Sequence, residues 1–462
     1  MITTSIFELF KIGPGPSSSH TVGPMRAMND FRDKLMSLSF PQDASPLEIR
    51  VSLYGSLAAT GHGHGTHRAI LAGLLGEKPP SVDTDRLKSF WAKPLESYLL
   101  QIGDWQIPFV EDNIFFDYGP HPYRHSNTLK AEIICAHEVI YRRIYYSVGG
   151  GFIESDEDND KPIPENHSLP YPYNNMEELL AHISSATIDM AAILLENEKK
   201  IHNESEEEIV NRLREIIAVM RDSVSRGLSR SGILPGGLNV ERRAKEMYAK
   251  ALSFEENNQI GRAMIARLNA YALAASEENA DGNMVVTAPT NGAAGIIPAC
   301  IEYLMRDNMI EENKICRGLM VAAMVGFIIK DHASISGAEL GCQAEVGSAA
   351  SMAAALFSYC YDEDAVDIAI SAEIALEHHL GMTCDPVRGL VQVPCIERNA
   401  TGIIKAFNAY LLASDRPGNP VISFDQVVEV MRQTGLDLSA KYKETATGGL
   451  ATQFGWGNMP GS

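Results

Sequence analysis

Residues 154–175, ESDEDNDKPIPENHSLPYPYNN, divide the chain into two unequal parts with different patterning. The stretch is acidic, rich in proline and nearly free of aliphatic side chains. It cannot bury a core, so it reads as a linker or a surface excursion. Before it, residues 1–153 mix strand-like and helix-like segments. EIRVSLYGSL (48–57), IPFVEDNIFFDYG (107–119) and EVIYRRIYYSVGGG (138–151) are rich in β-branched and aromatic residues, and NTLKAEIICA (127–136) alternates like a half-buried strand. This predicts an α+β domain. After it, residues 176–462 follow a helical pattern. MEELLAHISSATIDMAAILLENEKKI and SEEEIVNRLREIIAVMRDSVSRGL carry apolar residues at helical spacing with acids near each start. Residues 315–359 are dense in Ala, Gly, Met and Ser, which lets helices approach closely. The expectation is a larger all-α domain centred there. Its longest apolar run, GLMVAAMVGFII (318–329), is too short to span a bilayer and suits a buried helix.

The chain has 462 residues, enough for two or three domains and a large core. A formal charge of −20 repels phosphate backbones and anionic lipid, so neither nucleic acid nor a membrane surface is an expected partner. The start, MITTSIFELFKIG, lacks a basic segment followed by an apolar run. The cysteines number seven: Cys135, Cys300, Cys316, Cys342, Cys360, Cys384 and Cys395. An odd count without a secretion signal predicts a reducing, cytoplasmic setting and no disulfide framework.

Three of these thiols differ from the rest in context. Cys342 lies between glycines in GAELGCQAEVG, Cys384 precedes Asp-Pro, and Cys395 follows proline at the end of CDPVRGLVQVPC. The other four sit in periodic or apolar surroundings, where free cysteine behaves as a small hydrophobe. The spacing Cys-x41-Cys-x10-Cys is not that of paired zinc knuckles. Two readings stay open at this level. The three are buried thiols without a task, or they hold an iron–sulfur cluster with one iron left open as a Lewis acid.

Three polar loops accompany them. KIGPGPSSSHTVGPM (11–25) gathers Ser17, Ser18, Ser19, His20 and Thr21 between Gly-Pro pairs, a set of hydroxyls and amides suited to a carboxylate or phosphate. A helix cap accounts for one of those serines and leaves the others and His20 to explain. GSLAATGHGHGTHRAI (55–70) carries His62, His64 and His67. It is an incomplete dinucleotide fingerprint, a conceivable three-histidine zinc site, or a rigid loop presenting a general base. TAPTNGAAGIIPA (287–299) offers Thr290, Asn291 and Gly292 in a polar turn feeding a helix, which reads equally as an anion site or plain capping.

Taken together, these motifs resemble the iron–sulfur-dependent L-serine dehydratases (L-serine ammonia-lyases) in their single-chain form. GPGPSSSHTVGPM, GHGHGTHRA, GILPGGLNVERRA, VVTAPTNGAAGIIPA, SISGAELGCQAEVGSAASMAAA, LEHHLGMTCDPVRGLVQVPCIERNA and KETATGGLA carry the likeness through nearly the whole sequence. The resemblance implies a helical catalytic domain with a [4Fe–4S] cluster on Cys342, Cys384 and Cys395. It implies an N-terminal α+β domain like the allosteric substrate-binding domain of some phosphoglycerate dehydrogenases, a homodimer, and L-serine as substrate. His62 and His20 are the two candidates for the base that removes the α-proton. Ser17, Ser18, Ser19, Thr21, Thr290, Asn291 and Gly292 are the candidates for holding the substrate's carboxylate and amine. Members of this form often end in a cysteine that occupies the free iron. No cysteine follows Cys395 here, so no tail thiolate is expected. The competing readings are a pyridoxal-phosphate dehydratase, for which TAPTNGAAG supplies no adjacent lysine, and a non-catalytic amino-acid or oxygen sensor.

Overall fold

The computed structural model describes residues 1–38, 47–93, 95–156, 169–414, 416, 420–445 and 448–453. Most of the acidic stretch that divides the sequence therefore lies outside the described residues, as does the chain after residue 453. The strand-like segments of the first part form one five-stranded sheet and a hairpin. In chain order the strands are β1 (Lys11–Pro14), β2 (Leu47–Gly55), β3 (Ser97–Ile102), β4 (Trp105–Val110), β5 (Ile114–Asp117), β6 (Asn127–Cys135), β7 (Glu138–Ser147), β8 (Ile153–Ser155) and β9 (Met284–Thr287). The sheet runs β5-β2-β6-β7-β8, with β2 and β5 parallel and its other pairs antiparallel; β3 pairs with β4. The half-buried alternation expected of 127–136 does not hold, since β6 is buried at nearly every position, Thr128, Glu132 and Ile134 included. Ile49, Val51 and Leu53 on β2, with Leu129, Ala131 and Ile133 on β6, are buried in one cluster with Met28 and Phe31 of the helix Gly23–Ser37 and Ile70 and Leu71 of the helix Thr66–Leu74.

The second part is dominated by long helices whose ends follow local capping chemistry. Asn175 caps Met176–Ala186, and Ser205 with Glu208 forms a reciprocal capping box on Glu206–Ser229. The segment read as one helical run from Met176 breaks at Thr187, whose φ is +48°, and resumes as Met190–His202 under an Asp189 cap. The two pieces bend by 101°. Glu312–His332 buries the run 318–329 beside the alanine-rich helix Ser348–Cys360, and both belong to the larger core cluster. No single helix among the described residues is long and apolar enough to cross a membrane.

This part is helical but not purely so. β9 lies within it and pairs antiparallel with β1, Lys11 opposite Thr287 and Pro14 opposite Met284. The chain's start belongs to the same core. Ile2, Ile6, Leu9 and Phe10 are buried among the helices, away from the sheet. The two parts are thus joined through the first fourteen residues as well as through the acidic stretch.

A buried acid holds that junction. Glu198, fully buried on Met190–His202, accepts from the Ile6 amide (2.8 Å) and the Ser5 hydroxyl (2.8 Å), with His202 Nε2 at 3.2 Å. Burial pushes its carboxyl up to about 7. Between the ordinary carboxylate range and pH 7 the folded chain therefore holds a proton that the unfolded chain has lost. The stability linked to this proton is complete below that range and is lost as pH rises through about 7. Glu198→Gln cannot ionise. Urea unfolding across that interval should show wild type losing stability relative to the variant as pH rises; parallel curves would remove the assignment.

Candidate active site

The β1–β9 pairing sets two loops side by side. After β1, Ser17 accepts from the His20 amide (3.1 Å) and starts the wide helical turn Ser18–Val22. After β9, Thr287 donates to Asn291 Oδ1 (2.7 Å), and the Asn291 amide nitrogen points to Ser18 Oγ at 3.4 Å. Asn279 ties both loops through Pro16 O (2.9 Å) and Asn291 O (3.0 Å). Asn291 and Thr21 spend their polar groups inside the protein: Asn291 Nδ2 donates to Asn279 Oδ1 (2.8 Å) and Thr21 Oγ1 to His64 O (2.8 Å). Their contacts hold the loops. Gly292 and Thr290 instead face Glu345.

The thiols arrive from three elements. Cys342 precedes the turn Gln343–Gly347, which runs on into Ser348–Cys360; Cys395 is the first residue of Cys395–Ala413; Cys384 sits in the loop between. Two of the three thus stand at helix starts, where the backbone dipole favours negative sulfur. Cys342 Sγ and Cys384 Sγ lie 3.9 Å and 3.7 Å from Glu345 Oε2. Cys395 is outside that tight group but shares the charged surroundings of Cys342, Glu345 and Arg398. Arg398, one turn along from Cys395, donates to Thr383 O (2.6 Å) and pairs with the buried Asp385 (3.3 Å). Contact with Cys342 and then burial push the Cys384 thiol well up; burial and then Cys342 do the same for Cys395. The remaining buried cysteines, Cys300, Cys316 and Cys360, lie in the helical core, as their context predicted.

Between thiols and serine loop stand two buried carboxylates, Glu345 and Glu444, both pushed above the usual carboxylate range by burial. The Glu444 carboxylate is the second cause of the Glu345 shift. Ser19 Oγ donates to Glu444 Oε1 (3.0 Å), His20 Nδ1 lies 3.3 Å from the same oxygen, and the buried amide of Asn127 faces it. Ser56 Oγ donates to Glu444 O (3.0 Å) and lies 3.3 Å from His20 Nε2. His20 is therefore held on both ring nitrogens, and burial lowers it to about 4.

The three histidines of the glycine-rich turn do not converge. His64 is buried against His20, ring centroids 4.6 Å apart. His62 and His67 pack toward Phe116 and Trp91, and His62 lines, with Thr21 and His64, a cleft of about 650 Å³ that also contains Arg68, Arg388 and Gln392. The three-histidine zinc arrangement does not form: His62 and His67 group with Glu111, and His64 stands outside that group. Burial lowers both remaining imidazoles, His67 to about 3, so they are neutral at ordinary pH.

A family model described as the serine dehydratase alpha chain covers residues 185–451, and one described as the serine dehydratase beta chain covers residues 5–158. The chain is 42% identical over 456 residues to L-serine dehydratase 2 of Escherichia coli (strain K12), covering 97% of this chain and 99% of that protein. It is 45% identical over 464 residues to L-serine dehydratase of Streptomyces coelicolor, with the same coverage of both, and 43% identical over 455 residues to that of Haemophilus influenzae. The chain belongs to the L-serine dehydratase family.

Whether the residues of this serine dehydratase fit an iron–sulfur cluster can be judged from the donor set. Three buried thiols from separate elements stand near one another, and the ionisation of Cys384 and Cys395 is disfavoured unless a positive centre replaces the protons. Gly337 leaves space there: a Cβ would stand 3.2 Å from Cys384 Sγ and 2.7 Å from Glu345 Oε2. The set fits. Sequence reasoning missed Glu345, Glu444, Arg398, Ser56 and Asn127. Glu345 and Arg398 each follow a candidate thiol by three positions, one helical turn, which is the signal that points to them. Glu444 lies within KETATGGLA, a motif that carried the resemblance but no assigned role.

The same motif is anchored by Gly449. Its φ is +56°, and a Cβ there would stand 2.0 Å from Asp385 Oδ2, which accepts from the Leu450 amide at 2.8 Å. Gly449→Ala should lose that charge-assisted bond, worth about 1.5–3 kcal/mol. Limited proteolysis should then cut the 440–453 region faster than in wild type.

Proposed function

We propose that this chain removes water from L-serine and releases pyruvate and ammonia, at a site where the serine loop of the first part meets the thiols of the second. The observation that carries the reading is the run of contacts from Ser19 and His20 to Glu444, from Glu444 to Glu345, and from Glu345 to Cys342 and Cys384. Cys342, Cys384 and Cys395 would hold a [4Fe–4S] cluster, which would supply a Lewis-acidic iron to help the hydroxyl leave.

The chain's own groups supply the rest. Ser19 and His20 already accommodate a carboxylate, that of Glu444, which supports recognition of an amino acid's carboxylate by this loop. Ser17 and Ser18 shape the same turn, and Thr290 and Gly292 line its other side beside Glu345. Of the two histidines, His20 is engaged on both nitrogens and fits an orienting role. His62 makes no hydrogen bond among the described residues and opens to a cleft, so we assign it the α-proton. Loss of the α-proton and of the β-hydroxyl gives aminoacrylate, which tautomerises to an imine and hydrolyses. We further propose a reducing cytoplasmic setting, a homodimer, no nucleic-acid or membrane partner, and a first part that serves as an allosteric substrate-binding domain. The seven free thiols and the charge of −20 support the first and third of these.

Anaerobic reconstitution with iron and sulfide should give a brown protein that bleaches in air and releases pyruvate from L-serine. Cys384→Ala should abolish colour and turnover together; a colourless, fully active protein overturns the cluster assignment. His62→Asn should lower kcat by about 10²–10⁴-fold. His20→Asn should act chiefly on KM. Steady-state kinetics of both variants decide the roles, and an unimpaired kcat in His62→Asn removes it as the base.

A further inference from the structure

On the side of the glycine–histidine turn that packs against Phe116 and Trp91, the ligand atoms of His62, His67 and Glu111 lie within 4.8 Å of one another. The group stands apart from the three thiols. His67 is 7% exposed, and neither of its ring nitrogens makes a hydrogen bond among the described residues. Its Nε2 is aimed at Glu111 Oε1 from 3.9 Å, too far for a direct bond. A cation between Nε2 and the carboxylate would give that nitrogen a partner.

The rings are held ready. His62 stacks on Phe116 at 3.9 Å between centroids, His67 stacks on Trp91 at 6.0 Å, and the two imidazoles are 5.3 Å apart. Two imidazoles, one carboxylate and an open position form the donor set of a tetrahedral site for a borderline divalent cation. Metal–ligand distances of about 2.0–2.2 Å require the three donors to draw closer than they stand. Glu111 supplies that freedom, since its side chain is 44% exposed. Arg68 beside His67 opposes a cation locally, while the overall charge of −20 favours its approach.

We propose that His62, His67 and Glu111 form a second metal site, for zinc or a similar borderline divalent cation. A cation there engages His62 and shuts down turnover, a consequence that rests on the assignment of His62 as the base.

The test is calorimetric titration of zinc chloride into the anaerobically reconstituted enzyme, with the visible spectrum followed to verify that the cluster stays intact. One zinc should bind per chain, and Glu111→Gln and His67→Gln should each weaken it at least about tenfold. Glu111→Gln should keep its basal activity and become resistant to zinc. The proposal is overturned if no stoichiometric zinc binds, or if both variants bind it as wild type does. Stoichiometric binding that is lost in the variants, yet leaves wild-type turnover untouched, upholds the site and removes His62 as the base.

Discussion

The antiparallel pairing of Lys11–Pro14 with Met284–Thr287 is the constraint from which the rest of the site follows. One strand opens the chain and the other lies deep in the helical part. The serine loop leaves β1 beside Met284 and the Thr290–Gly292 turn leaves β9 beside Lys11, at opposite ends of the pair, and the turn folds back along the ladder's edge so that Asn291 reaches Ser18. Asn279 then ties the two loops together, and the buried start of the chain, anchored through Glu198, keeps that edge within the helical core. Without this pairing the hydroxyls and the thiols would belong to separate bodies joined by a polar linker.

The pocket so formed concentrates groups that resist charge. Glu345 and Glu444 are carboxylates almost wholly withdrawn from solvent, the Cys384 and Cys395 thiols hold their protons tightly, and Arg398 is a cation placed among them. Such surroundings accept a positive centre and weaken no polar contact by competing water. Within these surroundings Ser19 and His20 hold the Glu444 carboxyl. The segment around Glu444 spans the gap between the two parts, with the Cys384 amide donating to Tyr442 O and the Thr445 amide to Cys384 O.

Much of this was legible in the linear sequence. Strand-like segments located β2 and β6, helical spacing located the long helices, and the Gly/Pro contexts separated Cys342, Cys384 and Cys395 from the core thiols. The family motifs then pointed to the serine and histidine loops. Other features were not legible. The break at Thr187 depends on a left-handed residue that only the packed helices require. The start of the chain reads as part of the first domain, yet Ile6 and Leu9 are buried in the second, because a four-residue helix carries too little pattern to reveal its partner. Asn291 and Thr21 look like ligand contacts by type, while their hydrogen bonds are consumed in holding loops.

By itself the sequence determined composition class, the order of strand-rich and helical parts, and which residue types were available for chemistry, because local patterning and turn residues act over a few positions. Tertiary structure alone decided which of them meet. It packed His64 against His20 and His62 against His67, although all three share one six-residue turn. It brought Glu444 to Ser19 across 425 positions. Contacts of that separation depend on strand register and helix packing, which no short stretch of sequence encodes.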